Sequence, residues 1–243
     1  MTRIATLFMS QTNPMSKHDS ANKILSISVG QIKPLIKLPV KMTALSQSID
    51  DDNKLLSAID KRSVSNLEND VEIDVNTSGI FGDKQSDLSI HGGLQKAVCV
   101  YPYEHYSVWE NILEKNNTLN FGAFGENLTI QGLTEQHVFV GDQWTIGSAI
   151  FEVTEFREPC LKLNIKLNCK QAARFMLNHQ ISGWYLKVLK EGSIKAGDTI
   201  NILPGQQLIS IADQNSKLLN TGRINWIEQS HTLLTEKTNY GIS

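Results

Sequence analysis

One short stretch of this sequence carries the side chains best suited to chemistry. It reads REPCLK over residues 157–162, with Arg157 three positions before Cys160 and Lys162 two positions after it. Such an electropositive setting favours the thiolate, which is the form of cysteine that binds a metal or attacks a substrate. The alternative interpretation is a buried, inert cysteine, which is the commoner state of this residue in proteins.

Two other cysteines compete with Cys160 for a chemical role. Cys169 lies at a predicted helix start, where backbone N–H groups and the helix dipole also stabilise a thiolate. Cys99 lies within an apolar run and has the setting of a structural residue. Three cysteines without a CxxC pair indicate neither a disulfide framework nor a zinc site. The chemistry of the residues alone leaves the choice between Cys160 and Cys169 open.

Two glycine-containing stretches lie upstream. HGG at residues 91–93, followed by Lys96, could hold an anion, because glycine lets the backbone approach closely while the lysine neutralises charge. The second stretch, FGAFGENL at residues 121–128, contains Asn127. The amide of Asn127 has the donor and the acceptor that suit the edge of a heterocycle such as a pterin. In both cases the alternative is an ordinary turn, and the spacing does not separate the two interpretations.

The composition describes a folded protein with one main domain. At 243 residues, 40% hydrophobic and 20% charged, the chain can bury one good core but not two full-sized domains. Its net charge of −2 favours neither a nucleic acid nor an acidic membrane surface as a partner, so a basic site must be local. The sequence shows neither an apolar run of ~20 residues nor a secretory signal. We therefore predict a cytoplasmic protein.

The pattern of short apolar runs between glycine-containing turns predicts a mainly β protein, an antiparallel barrel with peripheral helices. The first strand is predicted to be bent around a central Gly30. The predicted strands are 24–36, 97–101, 127–130, 137–140, 143–147, 149–156, 184–192 and 198–203.

Two helices are predicted between these strands. One opens at Pro102, and an aromatic stripe in it packs in the core, comprising Tyr103, Tyr106, Trp109 and Leu113. The other begins at Cys169, behind a capping box formed by Asn168 and Gln171.

Three segments are set apart by composition. Residues 1–23 are polar and predicted to be a flexible leader, and residues 206–243 have the helical spacing of a small C-terminal extension. The main domain is then 24–205. Within it, the polar segment 46–69 with its DDD run is predicted to be a surface insertion with a single helical turn.

Taken in order, four stretches resemble the MOSC family, the domain found at the C-terminus of molybdenum-cofactor sulfurases. They read HGGLQKAVCVYPYEHYSVWE, FGAFGENLTIQGLTEQHVFVGDQW, FREPCLKL and GWYLKVLKEG, within residues 24–205. The resemblance extends to the stand-alone bacterial branch associated with resistance to 6-N-hydroxylaminopurine. It implies a β-barrel-like fold, the molybdenum cofactor (molybdopterin with molybdenum), and Cys160 rather than Cys169 as the metal ligand. It also implies a cofactor pocket lined by His91, Gly92, Lys96, Asn127 and Arg157.

The activity that this resemblance implies is a two-electron reduction of an N-hydroxylated substrate to the amine and water, with oxygen passing to the reduced metal. The sequence has no flavin fingerprint, haem motif or iron–sulfur cysteine set, so we expect a separate reductase, a flavoprotein, to supply the electrons. Two alternatives stay open. One is a module that carries the cofactor or its sulfur without turnover. The other is a metal-free cysteine hydrolase, in which His91 or His105 activates Cys160.

Overall fold

The computed structural model describes residues 22–38, 48–88, 92–113 and 119–219. Its main element is a sheet of eight strands that curls into a half-barrel, which confirms the predicted mainly β fold with peripheral helices. In spatial order the strands are β13 (Asn201–Leu203), β9 (Gln143–Ile146), β10 (Ala149–Phe156), β11 (Trp184–Lys190), β7 (Val98–Pro102), β8 (Leu128–Gln131), β1 (Lys23–Gly30) and β4 (Lys61–Asn66). All neighbours pair antiparallel except β7 and β8.

Two smaller sheets and four helices complete the described part of the chain. One small sheet pairs β2 (Lys33–Lys37) with β3 (Lys54–Ser57), and the other has the order β12 (Gly192–Ile194), β5 (Ile73–Asn76), β6 (Gly79–Ile80). The helices are α1 (Tyr106–Ile112), α2 (Leu161–Leu167), α3 (Ala172–Asn178) and α4 (Ile211–Leu219). No helix among the described residues has the length and apolar character needed to cross a membrane.

The core is divided between the sheet and the helices. Inside the curled sheet, the rings of Trp144 and Trp184 meet edge to face with their centroids 5.8 Å apart. Beneath α1 to α3, a second cluster contains Tyr106 and Trp109, which confirms two members of the predicted aromatic stripe. Tyr103 of that stripe is 43% exposed instead. The candidate site described below lies where the sheet meets these helices.

Six predicted strands are confirmed within a few residues, namely β7, β8, β9, β10, β11 and β13. The segment 24–36 is two strands rather than one bent strand. β1 ends at Gly30 in the large sheet, whereas β2 pairs with β3. A Cβ at Gly30 would lie 2.3 Å from the carbonyl oxygen of Ala58, so this glycine serves a close approach of two chain segments rather than a bend.

The segment 46–69 is not the surface insertion that its polar composition predicts. From Lys54 it forms β3 and then β4, an edge strand of the large sheet that pairs with β1. Ser65 in β4 is fully buried. An edge strand with few apolar residues has a composition close to that of a loop, because one of its faces is solvated.

Two further local predictions are wrong. Residues 137–140 are not a strand, and the described bridge there joins Phe139 to Ser210. The helix predicted to start at Cys169 behind Asn168 begins instead at Ala172, after the end of α2. Asn168 has a φ of 50° and is the left-handed C-cap of α2, a conformation that asparagine tolerates better than most residues.

Helix α4 confirms helical structure in the C-terminal segment. The backbone N–H of Phe156 donates to Oε1 of Gln214 in α4 at 2.7 Å, and Leu218 packs on Leu177 of α3. The helix is thereby joined to the main domain. The rest of the predicted extension, from residue 220, and the predicted leader up to residue 21 lie outside the described residues.

Candidate functional site

A cavity of about 90 Å³ lies between the strands β4, β7 and β11, the end of β10 and the start of α2. The described residues that line it include five cations and two carboxylates: Lys61, Lys84, Lys96, Arg157 and Lys162, with Asp83 and Glu158. The whole chain carries a net charge of −2, so this cavity is a local concentration of positive charge. An anion would be attracted to it.

Cys160 lines this cavity at the point where β10 has ended and α2 begins. It is the N-cap residue of α2, with an extended backbone (φ −134°, ψ 178°), and its side chain is partly exposed. The extended conformation turns the chain from the strand into the helix. The thiol is thereby held at the wall of the cavity, between two cations that are close in sequence.

Arg157 is the first of these cations. It is buried, its Nη2 donates to the carbonyl oxygen of Phe124 at 2.7 Å, and its Nη1 lies 3.4 Å from Sδ of Met176. Burial by itself lowers the pKa of Arg157, but the neighbouring Cys99, Tyr185 and Cys160 groups outweigh burial and raise that pKa. Arg157 therefore stays a cation beside Cys160.

Lys162 is the second cation, in the first turn of α2. It is buried, and its Nζ lies 3.5 Å from Oγ of Ser86. Burial lowers the pKa of Lys162, and the nearby Cys160 and Asp87 groups act in the opposite direction. A thiolate at Cys160 thus stabilises the charged form of Lys162, and the lysine in turn stabilises the thiolate.

The HGG turn reaches the cavity through Lys96. Lys96 closes a short 3-10 turn, and its Nζ lies 3.7 Å from Glu155 and 5.7 Å from the centre of the Tyr185 ring. The side chain of Gln85 accepts the N–H of Gly93 at 2.8 Å and donates to the carbonyl of Lys96 at 3.2 Å. His91 lies outside the described residues.

Gly92 has a packing reason to be glycine. A Cβ at this position would lie 2.4 Å from Oε1 of Gln85, the oxygen that accepts from the next residue. The two glycines of the motif therefore let the turn close on Gln85. That closure places Lys96, three residues further on, at the cavity.

Asn127 also lines the cavity, and its amide connects two strands. Its Oδ1 accepts the N–H of Cys99 in β7 at 3.0 Å, and its Nδ2 donates to the carbonyl of Ser28 in β1 at 3.2 Å. These bonds reach residues 28 and 99 positions away, so they are not the local turn contacts that the alternative interpretation predicts. They use one donor and one acceptor of the amide, which has further capacity for a ligand.

Glu126 organises the loop before β8. Its carboxylate is buried and accepts from the N–H groups of Gly122 at 2.9 Å and Phe124 at 3.0 Å. The hydroxyl groups of Tyr106 and Thr129 donate to the same carboxylate. Four donors on one carboxylate hold the loop whose Phe124 carbonyl in turn holds Arg157.

The three cysteines have different surroundings. Cys99 also lines the cavity, but burial raises the pKa of its thiol to about 11, so it stays protonated at neutral pH. Cys169 packs against the cluster beneath the helices and is not among the cavity-lining residues. Cys160 is therefore the cysteine that the fold places in the cavity with partial exposure and with cations on both sides.

Sequence reasoning missed a buried ion pair in the cavity wall. Lys61 Nζ lies 2.6 Å from Oδ2 of Asp83, and both side chains are 7% exposed. Asp83 also accepts the backbone N–H of Gly30 at 2.7 Å. Lys61 belongs to the segment that looks like a surface insertion, so no local signal in the sequence indicates its position.

Lys166 attaches α2 to two loops beside the cavity. Its Nζ donates to the carbonyl of Ile59 at 2.7 Å and to the carbonyl of Gly122 at 3.0 Å, and Asp60 lies 3.7 Å away. Burial lowers the pKa of Lys166, with Glu126 acting in the opposite direction. The ammonium group thus fixes the helix that starts at Cys160.

We expect Lys166→Met to destabilise the fold by about 1–3 kcal/mol, because two partly buried carbonyl groups lose a charged donor. Urea unfolding measures this as a lower transition midpoint at unchanged slope. The matched control is Lys170→Met, since Lys170 is exposed and its change is expected to stay within about 0.5 kcal/mol. Equal midpoints for the two variants would contradict the role of Lys166.

Comparisons with known proteins agree with this geometry. Residues 87–201 match the MOSC domain model. The uncharacterized protein YflK of Bacillus subtilis is 42% identical over 135 residues, which cover 55% of this chain and 60% of YflK. A protein named Reductase from Gibberella moniliformis is 37% identical over 129 residues, or 52% of this chain and 23% of that protein. The matching region thus spans less than two thirds of either relative.

A solved structure has a similar fold over most of this chain. The crystal structure of YiiM from Geobacillus stearothermophilus aligns over 86% of this chain and 98% of that one, with a TM-score of 0.60 and 27% identity. The matched domain model covers Lys96, Cys99, Asn127, Arg157 and Cys160, which are all residues of the cavity wall. Residues 87–201 of this chain are therefore a MOSC domain.

Proposed function

We propose that this chain binds the molybdenum cofactor at the cavity, with Cys160 as a protein ligand of the metal, and reduces N-hydroxylated compounds such as 6-N-hydroxylaminopurine to amines. The observation that carries the proposal is the position of the Cys160 thiol in the cavity wall, between Arg157 and Lys162. Membership of a molybdenum-cofactor-associated family and the printed name of the fungal relative support a reductase.

The donor set of the cavity fits this cofactor. Thiolate is a soft ligand that suits a metal also bound by the cofactor's own sulfur atoms. The phosphate of the cofactor needs cations and backbone donors, and the cavity wall provides Lys61, Lys96 and Arg157 beside the turn at Gly92 and Gly93. About 90 Å³ is less than the ~300–1,000 Å³ of most small-molecule sites, so the cavity would enclose only part of the cofactor.

The residues of this chain then have separate tasks. When bound, the cofactor supplies the two-electron oxygen-atom chemistry that the protein lacks. Cys160 would hold the metal, and the positive charges of Arg157 and Lys162 favour the thiolate form of its sulfur. Asn127 presents one remaining amide N–H and one lone pair to the heterocycle. The proposal includes a separate flavoprotein reductase as electron donor, because the sequence has no motif for a second redox group.

The test begins with the protein from a host competent in cofactor synthesis. We expect it to contain molybdenum and to convert 6-N-hydroxylaminopurine to adenine when a reduced viologen supplies electrons, measured by chromatography of the purines. The control is the same protein from a host that cannot make the cofactor, which should be inactive. Molybdenum without reduction would favour a cofactor carrier, and reduction at equal rates by both preparations would overturn the proposal.

A further inference from the structure

Tyr185 lies on the face of β11 that points away from the core of the curled sheet. Its neighbours Trp184 and Leu186 are fully buried in the core of the curled sheet, and side chains of a strand alternate between its two faces. Tyr185 therefore faces the other way, and it lines the cavity together with Cys160. In the sheet it pairs with Cys99 of β7, which lines the same cavity.

The hydroxyl of Tyr185 makes no hydrogen bond to any residue that the structure describes, although the residue is only 9% exposed. The two other buried tyrosines in the described part of the chain both use their hydroxyl groups. Tyr101 accepts from Nε1 of Trp109 at 2.7 Å, and Tyr106 donates to Glu126. Among the described residues, this oxygen is not one of the fully enclosed side-chain atoms without a partner, so it is accessible from the cavity and can bond a ligand there.

The surroundings of Tyr185 keep its proton in place. Burial is the largest influence and raises the pKa of Tyr185 above its ordinary range, and the neighbouring Cys99 acts in the same direction. The phenol is thus protonated at neutral pH and able to donate a hydrogen bond. Lys96 lies over its ring, 5.7 Å from the centre, which limits the directions from which a ligand can approach.

We propose that Tyr185 is a further catalytic residue, whose hydroxyl donates a hydrogen bond to the oxygen of the N-hydroxylated substrate. The inference rests on the proposed function. In the reaction, R–NHOH takes up two electrons from the external donor and two protons from solvent, the N–O bond breaks, and R–NH₂ and water leave. A donor aimed at the oxygen stabilises the negative charge that develops there as the bond breaks. Tyr185 keeps its own proton throughout.

The experiment compares Tyr185→Phe with Tyr103→Phe and the wild type, all as cofactor-loaded protein. Tyr103 is a matched control because it is a partly exposed tyrosine outside the cavity wall. We expect Tyr185→Phe to keep its molybdenum content and thermal midpoint while kcat falls about tenfold to a hundredfold. The second measurement is calorimetric affinity of the oxidised protein for 6-N-hydroxylaminopurine and for adenine. Relative to the wild type, Tyr185→Phe should bind 6-N-hydroxylaminopurine about threefold to tenfold more weakly in comparison with adenine, which lacks the oxygen.

The possible outcomes separate the role of Tyr185 from the proposed function. A Tyr185→Phe protein with wild-type kcat and an unchanged affinity ratio overturns the role of Tyr185 while the proposed function stands. A lower kcat with reduced molybdenum content and an unchanged affinity ratio also overturns the role of Tyr185 toward the substrate, since the tyrosine then supports cofactor binding instead. A wild-type protein that binds molybdenum but reduces nothing overturns the proposed function, and the inference with it.

Discussion

Cys160→Ser is expected to lose the protein's bound molybdenum and its donor-driven reduction together. A serine hydroxyl stays protonated at neutral pH and is a hard donor, whereas the position between Arg157 and Lys162 favours an ionised, soft sulfur. We expect molybdenum per chain to fall by at least about tenfold. Even the loss of a group that only hydrogen-bonds to a metal ligand lowers metal affinity by about tenfold to a hundredfold. Elemental analysis and X-ray absorption measure the metal and its sulfur ligands.

The matched control is Cys169→Ser. Cys169 packs beneath the helices, away from the cavity-lining residues, so its replacement should leave molybdenum content and turnover near wild type. If Cys160→Ser keeps both its molybdenum and an unchanged set of Mo–S distances, the assignment of the ligand fails. If Cys169→Ser shows the loss instead, the ligand is the rival thiol.

Glu126→Gln is expected to destabilise the fold more than any other single exchange of a charged group considered above. The buried carboxylate accepts hydrogen bonds from four donors. In the glutamine variant an NH₂ group replaces one of the two carboxylate oxygens, so a donor then faces donors. We expect a loss of about 2–4 kcal/mol, from charged hydrogen bonds and newly unsatisfied groups. In a chain of this size that lowers the thermal midpoint by roughly 4–16 °C.

The effect of Glu126→Gln should extend to the site. The loop it holds presents the Phe124 carbonyl to Arg157, so looser binding of the cofactor is expected at temperatures where the variant is still folded. Calorimetry gives the midpoint and elemental analysis gives the molybdenum content. Glu68→Gln is the control, because Glu68 is exposed on a turn. A midpoint for Glu126→Gln equal to that of this control would show that the buried carboxylate is not structurally important.

The structure shows structural roles for residues that the motifs indicate only as ligand contacts. Asn127 is predicted from its amide chemistry as a pterin contact, and the fold shows that the same amide also connects β1 to β7. Gly92 is predicted as part of an anion-binding turn, and a side chain there would crowd Oε1 of Gln85. In both cases a residue shapes the cavity wall through partners that are distant in the sequence, and those partners could not be identified from spacing.

The sequence by itself determined the strands from β7 to β11, the clustering of Arg157, Cys160 and Lys162, and the order of the motifs. These features depend on hydrophobic periodicity and on neighbours a few positions apart, which are visible in a linear pattern. Only the tertiary structure decided that β4 belongs to the sheet, that Lys61 meets Asp83, and that Tyr185 faces the cavity. Those outcomes depend on strand pairing between segments that are far apart in the chain, and the register of such pairing decides which face each side chain occupies.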